Sequence, residues 1–397
     1  MKRLAKQDKK GCVTMILFQN GLVYSTAQRT FIKADLLVKD GKIADCDYRG
    51  DITDDMTVVD CGGKYIMPGL VDAHTHGRAG YDFNRAGDEE CRAMRKSYAQ
   101  AGTTTLMATL ASDTFESLTA SVDAAQKNRV PEKGMATIAG VHLEGRYLNP
   151  KRRGAHAEEL LFPLDPDELK ELLNRMLPLP AHVSAAVELE GGQKFVKTAK
   201  ELGATVGMVH SDATYDEAMS AVQWGVTSFT HTFNAMRPIH HREPGNMVAS
   251  LMCDGAYTEL ICDGEHVHPA MIKMASRTKP HDKLILVTDS MEAAGCSDGT
   301  YSIAGLPVYV KNGRAVNNEG ALAGSTLDLW KALINFMSFT GRTLEEAIPC
   351  ATSNPAAMLG ISGDCGSIRN GARADFIMLE NKNEPAIESV WICGAKI

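Results

Sequence analysis

Apolar residues recur along the middle of this chain in short continuous runs. Eight of them can be traced, at 65–71, 103–109, 136–141, 182–187, 205–209, 226–229, 258–261 and 283–287. Strands covered on both faces read this way, because neither face meets water. Helical patterns lie between most of the runs. Asp165-Pro166-Asp167-Glu168 supplies a cap, a proline at the first helical position and an acid at the third. Asp113 and Thr214 open similar segments. Eight β/α units in about 230 residues predict a (β/α)8 barrel of the TIM type.

The two ends read differently. Ile16-Leu17-Phe18 leads to Asn20-Gly21, and residues 34–38 lead to Asp40-Gly41, both hairpin signals. Residues 374–379 and 390–394 are also strand-like. Neither end is large enough to bury a core alone. The expected architecture is therefore α/β: a barrel over 66–360, with a small β-sandwich domain assembled from 1–65 and 361–397. Residues 301–317 read as an inserted hairpin around Asn312-Gly313, with a helix following from about Ser325. Residues 1–10 are basic and precede a short apolar run at 12–18. Gln19-Asn20-Gly21 follows in place of a small-residue cleavage site, so a basic extension is expected there, not a secretory signal, with Met15 an alternative start.

Composition narrows the class. The 397 residues are 44% hydrophobic and 23% charged, enough for a sizeable core and against bulk disorder. Lys and Arg number 42 against 49 Asp and Glu, a net charge of −7 with no long basic block. Nucleic acid and anionic membrane are poor partners for such a surface. No apolar run reaches the 18 or so residues of a membrane span. Ten cysteines, from Cys12 to Cys393, form no C-x-x-C pair. Reduced thiols in a cytoplasmic protein are expected.

The chemistry sits just after the runs. His74 and His76 follow the first, Glu144 the third, His210 the fifth, His231 the sixth, His266 the seventh and Asp289 the eighth. The C-terminal strand ends of a barrel converge on one mouth, and the eighth strand closes on the first. These residues therefore form one predicted cluster. Imidazole and carboxylate donors suit Zn²⁺ or Fe²⁺. In His74-Thr75-His76 the outer pair share one side of an extended segment. Glu144 is a candidate bridge between two ions. A bound ion lowers the pKa of water to about 7. Asp289 is placed to take that water's proton and hand it to a leaving group.

Taken singly, each residue has an ordinary explanation. A strand-end histidine usually packs or caps, a lone His-x-His is common, and Asp289 suits an N-cap. The joint pattern weighs more, since five of 12 histidines follow predicted strands. His142, His156, His182 and His281 lack that placement or suit solvent-facing and supporting roles; His240 and His241 lie on a loop and stay open.

Pro68-Gly69-Leu70-Val71-Asp72-Ala73-His74-Thr75-His76-Gly77 resembles the first-strand motif of the amidohydrolase superfamily. Further stretches narrow the resemblance to the branch that deacetylates phosphorylated N-acetyl amino sugars. They are His142-Leu143-Glu144-Gly145, His210-Ser211-Asp212-Ala213-Thr214 and Thr230-His231-Thr232-Phe233-Asn234-Ala235-Met236. Arg242-Glu243-Pro244-Gly245, Asp263-Gly264-Glu265-His266-Val267, Val287-Thr288-Asp289 and Leu322-Ala323-Gly324-Ser325 complete the set. The Asn-Ala-Met and Arg-Glu-Pro-Gly pieces are specific to this branch, whereas His-x-His and Thr-Asp are shared across the superfamily.

The resemblance implies a homodimeric, metal-dependent hydrolase that removes acetate from N-acetylglucosamine 6-phosphate. Its ion would be Zn²⁺ first, with Fe²⁺ or Mn²⁺ as alternatives, one or two per subunit. Glu144, His210 and His231 would hold the main ion, with His74, His76 and Asp289 available to a second. Asp289 would act as general base and then acid. His266 would contact the sugar and polarise the acetyl carbonyl. Asn234, Ala235 and Arg242 would take the phosphate, Arg242 by a forked pairing. Ala155, Leu322, Ala323 and Gly324 match sugar-contacting stretches.

The chain departs from the pattern at Arg146, where proline is usual, at Val209 in place of glycine, and at Glu188-Leu189-Glu190 in place of Ala-Pro-Glu. Those departures bear on substrate more than on reaction type. The alternatives are another N-acyl amino-sugar phosphate such as N-acetylgalactosamine 6-phosphate, a cyclic amide, or an inactive barrel used as a scaffold.

Overall fold

The structure is a computed structural model that describes residues 15–397. The expected basic extension lies outside the described residues. Eight parallel strands form one sheet in sequence order: Leu70–Thr75, Thr103–Leu110, Thr137–Glu144, Ala181–Ala185, Thr205–Met208, Ser228–Phe229, Tyr257–Ile261 and Leu284–Val287. Each overlaps one of the eight apolar runs, the first only at Leu70 and Val71, because Tyr65–Pro68 belongs to a different sheet. The first and last are buried at every position, as strands covered on both faces must be. The ring closes through backbone bonds beyond the strands proper. The His76 amide donates to the Ser290 carbonyl at 2.7 Å, and the Asp289 amide to that of His74 at 2.9 Å. The (β/α)8 barrel read from the runs is thus the observed fold.

The helices start where the cap residues ask. Asp165 accepts from the amides of Asp167 and Glu168 and opens Pro166–Met176. Thr214 and Glu217 form a reciprocal capping box ahead of Tyr215–Trp224. At the second barrel helix, Phe115–Lys127, the cap is Thr114, one residue beyond Asp113. Asp113 instead binds Arg85 and Ser117.

A second eight-stranded sheet joins both ends of the chain, as expected of the small β domain. Phe376–Leu379 pairs antiparallel with Tyr65–Pro68, which continues into Met15–Ser25, Thr30–Lys39 and Lys42–Asp45. Its own core packs Phe18 against Phe376 and Trp391, with ring centroids 4.9 and 4.7 Å away. The Asp40-Gly41 turn forms as predicted, with φ of 50° and 78°.

Three expectations need correction. Asn20-Gly21 is not a turn: Met15–Ser25 runs through it, and the pair makes a bulge against Thr30–Lys39. Leu22, Val23 and Tyr24 continue the apolar run, so pairing resumes beyond the bulge. The inserted hairpin around Asn312-Gly313 is real but belongs to a three-stranded sheet, Gly299–Ile303, Leu306–Lys311 and Arg314–Val316. A second left-handed turn at Ala304-Gly305 adds the extra strand. The helix expected from about Ser325 begins at Leu329, because Ser325 is held in the barrel mouth by a bond from its amide to the Asp289 carbonyl.

Candidate functional site

The C-terminal strand ends do converge. His210, His231 and Asp289 each take a left-handed backbone conformation, with φ of 44°, 32° and 49°, just past the fifth, sixth and eighth strands. Such a turn costs a non-glycine residue on the order of 1–3 kcal/mol and persists only where the surroundings enforce it.

Two groups of ligand-type atoms result, and they share Glu144. One comprises Glu144, His210 and His231; the other His74, His76, Glu144 and Asp289; within each, the atoms lie within 4.8 Å of one another. The His231 Nε2 is 2.8 Å from Glu144 Oε1, and the His210 Nε2 is 3.5 Å from it. On the other carboxylate oxygen, His74 Nε2 stands at 3.1 Å and His76 Nε2 at 3.0 Å. Asp289 Oδ1 is 3.4 and 3.3 Å from the same two nitrogens. Tetrahedral ligands about 2.0–2.2 Å from a cation stand roughly 3.4 Å apart. The spacing and the nitrogen and oxygen donors therefore fit a divalent ion in either group. His210 is also oriented for this: its Nδ1 donates to the Arg152 carbonyl at 2.7 Å, leaving the Nε2 lone pair toward Glu144.

The electrostatics follow from burial opposed by charge. Burial favours the neutral form of Glu144, but His74, His210 and His231 outweigh it and hold the carboxyl well below its ordinary range. Burial likewise opposes ionisation of Asp289, yet His74 and His76 hold it down to about 2. At neutral pH both are carboxylates. His266 Nδ1 stands 2.5 Å from Asp263 Oδ2. Burial alone lowers an imidazole, but the Asp263 carboxylate raises His266 above its ordinary value.

A cavity of about 160 Å³ opens over this cluster. Its walls include His76, Glu144, His210, His231, His266 and Asp289, together with Ala155, Asn234, Ala235, Leu322 and Gly324. His74 lies beneath the lining, fully buried. Two expected residues stand elsewhere. Ala323 is buried among Met291 and Val308 in the core of the inserted sheet. Arg242 is exposed and reaches His241, its Nη1 2.8 Å from that ring's Nε2, away from the lining.

Sequence reasoning missed Gly154, His156 and Ile303, which also line the cavity. Gly154 is required: φ is 57°, and a Cβ there would stand 2.8 Å from the His210 ring. His156 donates to or accepts from Ser112 Oγ at 2.8 Å, and burial holds its ring neutral, down to about 3. None of them directly follows a barrel strand, the pattern that marked the ligands.

Arg146 turns out to be structural. Its guanidinium forks onto Glu168, with both bonds at 2.9 Å, and lies 4.1 Å above the Phe162 ring. Its backbone has φ of 59°, and its amide donates to Ser112 Oγ. Proline allows neither, so this loop takes its own conformation.

Comparison with known proteins agrees with this geometry. A model of the amidohydrolase family matches residues 65–396. The chain is 32% identical over 346 residues to an N-acetylglucosamine-6-phosphate deacetylase of Lysinibacillus sphaericus, covering 87% of this chain and 89% of that one. It is 33% identical over 340 residues to an N-acetylgalactosamine-6-phosphate deacetylase of Escherichia coli O157:H7, covering 85% and 89%. Among solved structures, the N-acetylglucosamine-6-phosphate deacetylase of Pasteurella multocida superposes with a TM-score of 0.88 at 27% identity, over 96% of this chain and 99% of that chain. A variant of the Mycobacterium smegmatis enzyme in complex with N-acetyl-D-glucosamine-6-phosphate gives 0.86 at 30% identity, over 97% and 99%. With the barrel, the ligand cluster and the matched length taken together, the chain belongs to the amidohydrolase family, in the group of the N-acetylglucosamine-6-phosphate and N-acetylgalactosamine-6-phosphate deacetylases.

Proposed function

We propose that this hydrolase removes the acetyl group from N-acetylglucosamine 6-phosphate, giving acetate and glucosamine 6-phosphate. The observation that carries the reading is the sharing of one small cavity by Glu144, His210, His231 and Asp289, four residues from four different strand ends. Glu144, His210 and His231 are the residues that would hold a divalent ion, with His74, His76 and Asp289 around a second; Zn²⁺ suits the donors best, and Fe²⁺ or Mn²⁺ fit as well. Such an ion supplies Lewis acidity and makes water acidic enough to ionise near neutral pH.

The chain's own residues do the rest. Asp289, ionised and facing the cavity, accepts the proton of the attacking water. His266, whose ring Asp263 holds in place and shifts toward the protonated form, donates toward the acetyl oxygen as charge builds there. Water adds to the carbonyl carbon, the C–N bond breaks, and the proton held by Asp289 passes to the departing amine. Ala155, Leu322, Ala323 and Gly324 are assigned to the sugar, and Asn234, Ala235 and Arg242 to the phosphate. The assignment of Arg242 and Ala323 rests on motif alone. We assign residues 66–360 to the catalytic body and 1–65 with 361–397 to the small domain.

The enzyme is further proposed to act as a homodimer in the cytoplasm. The described cysteines are free, which suits a reducing compartment. No helix of the described residues is long and apolar enough to cross a membrane.

A second reading has direct support: the Escherichia coli relative that acts on the galactosamine epimer is as similar as any glucosamine-type relative named above. The test is acetate release from phosphorylated and free N-acetylglucosamine and N-acetylgalactosamine, with Zn²⁺, Fe²⁺ or Mn²⁺ supplied. Release from the glucosamine phosphate ahead of its epimer supports the first reading, the reverse order supports the second, and no release overturns both. Arg242→Ala should slow only the phosphorylated substrates.

A further inference from the structure

Below the proposed ligand cluster, the barrel interior holds a carboxylate that the mechanism does not use. Glu259 lies in the seventh strand, Tyr257–Ile261, and is 1% exposed. Neither of its oxygens has a hydrogen-bond partner. Two imidazole nitrogens face it, His182 Nε2 3.8 Å from Oε1 and His74 Nδ1 4.0 Å from Oε2, and the Ser228 hydroxyl, also buried without a partner, lies beside it. The His74 Nδ1 is itself without a partner. A buried donor and a buried acceptor, both unsatisfied and facing each other, each cost on the order of 1–3 kcal/mol if they stay apart.

The two nitrogens of His74 face opposite ways. Its Nε2 faces Glu144, His76 and Asp289 at 3.1 to 3.4 Å. A histidine that gives its Nε2 lone pair to a cation must carry its proton on Nδ1, and that N–H asks for an acceptor. On His76, among the described residues, the close carboxylate contacts are all at Nε2, and its Nδ1 is unpartnered. The facing separation is one that a single water or a small side-chain movement bridges.

We propose that Glu259 is a positioning residue for the first-strand histidine pair: it accepts the His74 Nδ1–H, fixes that ring's tautomer, and so sets the affinity of the His74, His76, Glu144 and Asp289 group for a second divalent ion. The inference rests on the metal reading above. It also locates the one-or-two-ion question outside the ligands themselves, in an acid one layer down.

The test is titration of metal-free protein with Zn²⁺ against a chromophoric chelator, for wild type, Glu259→Gln and His74→Asn. Wild type should bind two ions. Glu259→Gln keeps the shape, removes the charge, and should weaken one of the two by about 10–100-fold while leaving the other unchanged. ¹⁵N-histidine NMR of the zinc-loaded wild type, with the His74 signals assigned by their loss in His74→Asn, should show the proton on Nδ1. That readout stands even if Glu259→Gln does not fold. Unchanged affinities in Glu259→Gln, a proton on Nε2 of His74, or a single ion bound only at Glu144, His210 and His231 would each overturn the inference alone. A wild type that binds no ion overturns the metal reading instead.

Discussion

At the scale of single residues, two charges decide what the cavity can do. Asp289 is largely, not fully, buried, and it stays ionised because His74 and His76 stand against it. Asp289→Asn keeps the shape and removes the proton acceptor, so acetate release should fall ~10²–10⁴-fold, the usual worth of a general base. Zinc content at the Glu144, His210 and His231 group should be retained; normal turnover in this variant would remove Asp289 from its role. His266 depends on Asp263, which raises its pKa above the ordinary imidazole value of about 6.5. The pair then stabilises the fold fully below pH ~6.5 and loses that contribution as pH climbs through the higher folded value. An NMR titration of His266 should show a midpoint above that of a free imidazole, and Asp263→Asn should bring it down; no change would mean that Asp263 does not hold the proton. Of these residues, the ligands were legible as types after strand ends. Glu259 was not, because one acid inside the run Thr258-Glu259-Leu260-Ile261 looks like a side chain that faces water.

Elements were legible to the extent that local chemistry specified them. The capping box of Thr214 and Glu217 is complete within four residues, and so are the Asp165 cap and the Asp40-Gly41 turn. Thr214→Ala should cost about 1 kcal/mol, read as a lower urea midpoint with the slope unchanged. An unaffected midpoint would show that tertiary packing carries that helix start. Asn20-Gly21 looked like a turn by the same local logic and became a bulge. The difference lies in Thr30–Lys39, a partner long enough to pair on both sides of it. The third strand of the inserted sheet was missed for a related reason: Ala304 adopts a left-handed turn that alanine does not announce.

At the scale of the whole molecule, the ligands hold distant parts of the chain together. Glu144 is 66 positions from His210 and 145 from Asp289 by their numbers, and the cluster exists only while the ring is closed. An ion bound there stabilises the folded form by mass action, by about 2.7 kcal/mol at a free concentration one hundred times its Kd. Chelation should therefore lower the Tm measured by calorimetry, and Zn²⁺ should restore it. An identical Tm with and without chelator would count against the site. The small domain ties the ends together in the same way, through Phe18, Phe376 and Trp391. Trp391→Ala should destabilise the protein by about 3–5 kcal/mol.

The order and number of barrel strands, the helix starts capped by Asp165 and Thr214, and the residue types gathered at the strand ends were determined by the sequence alone. Each depends on a period of burial or on a cap that spans only a few neighbouring residues. Which of those types share a cavity, that Arg146 turns to Glu168, that Arg242 stands outside the lining, and that Glu259 lies under His74 were decided only by the closed barrel. Their positions are set by contacts between residues far apart in the chain, and no local pattern carries that distance.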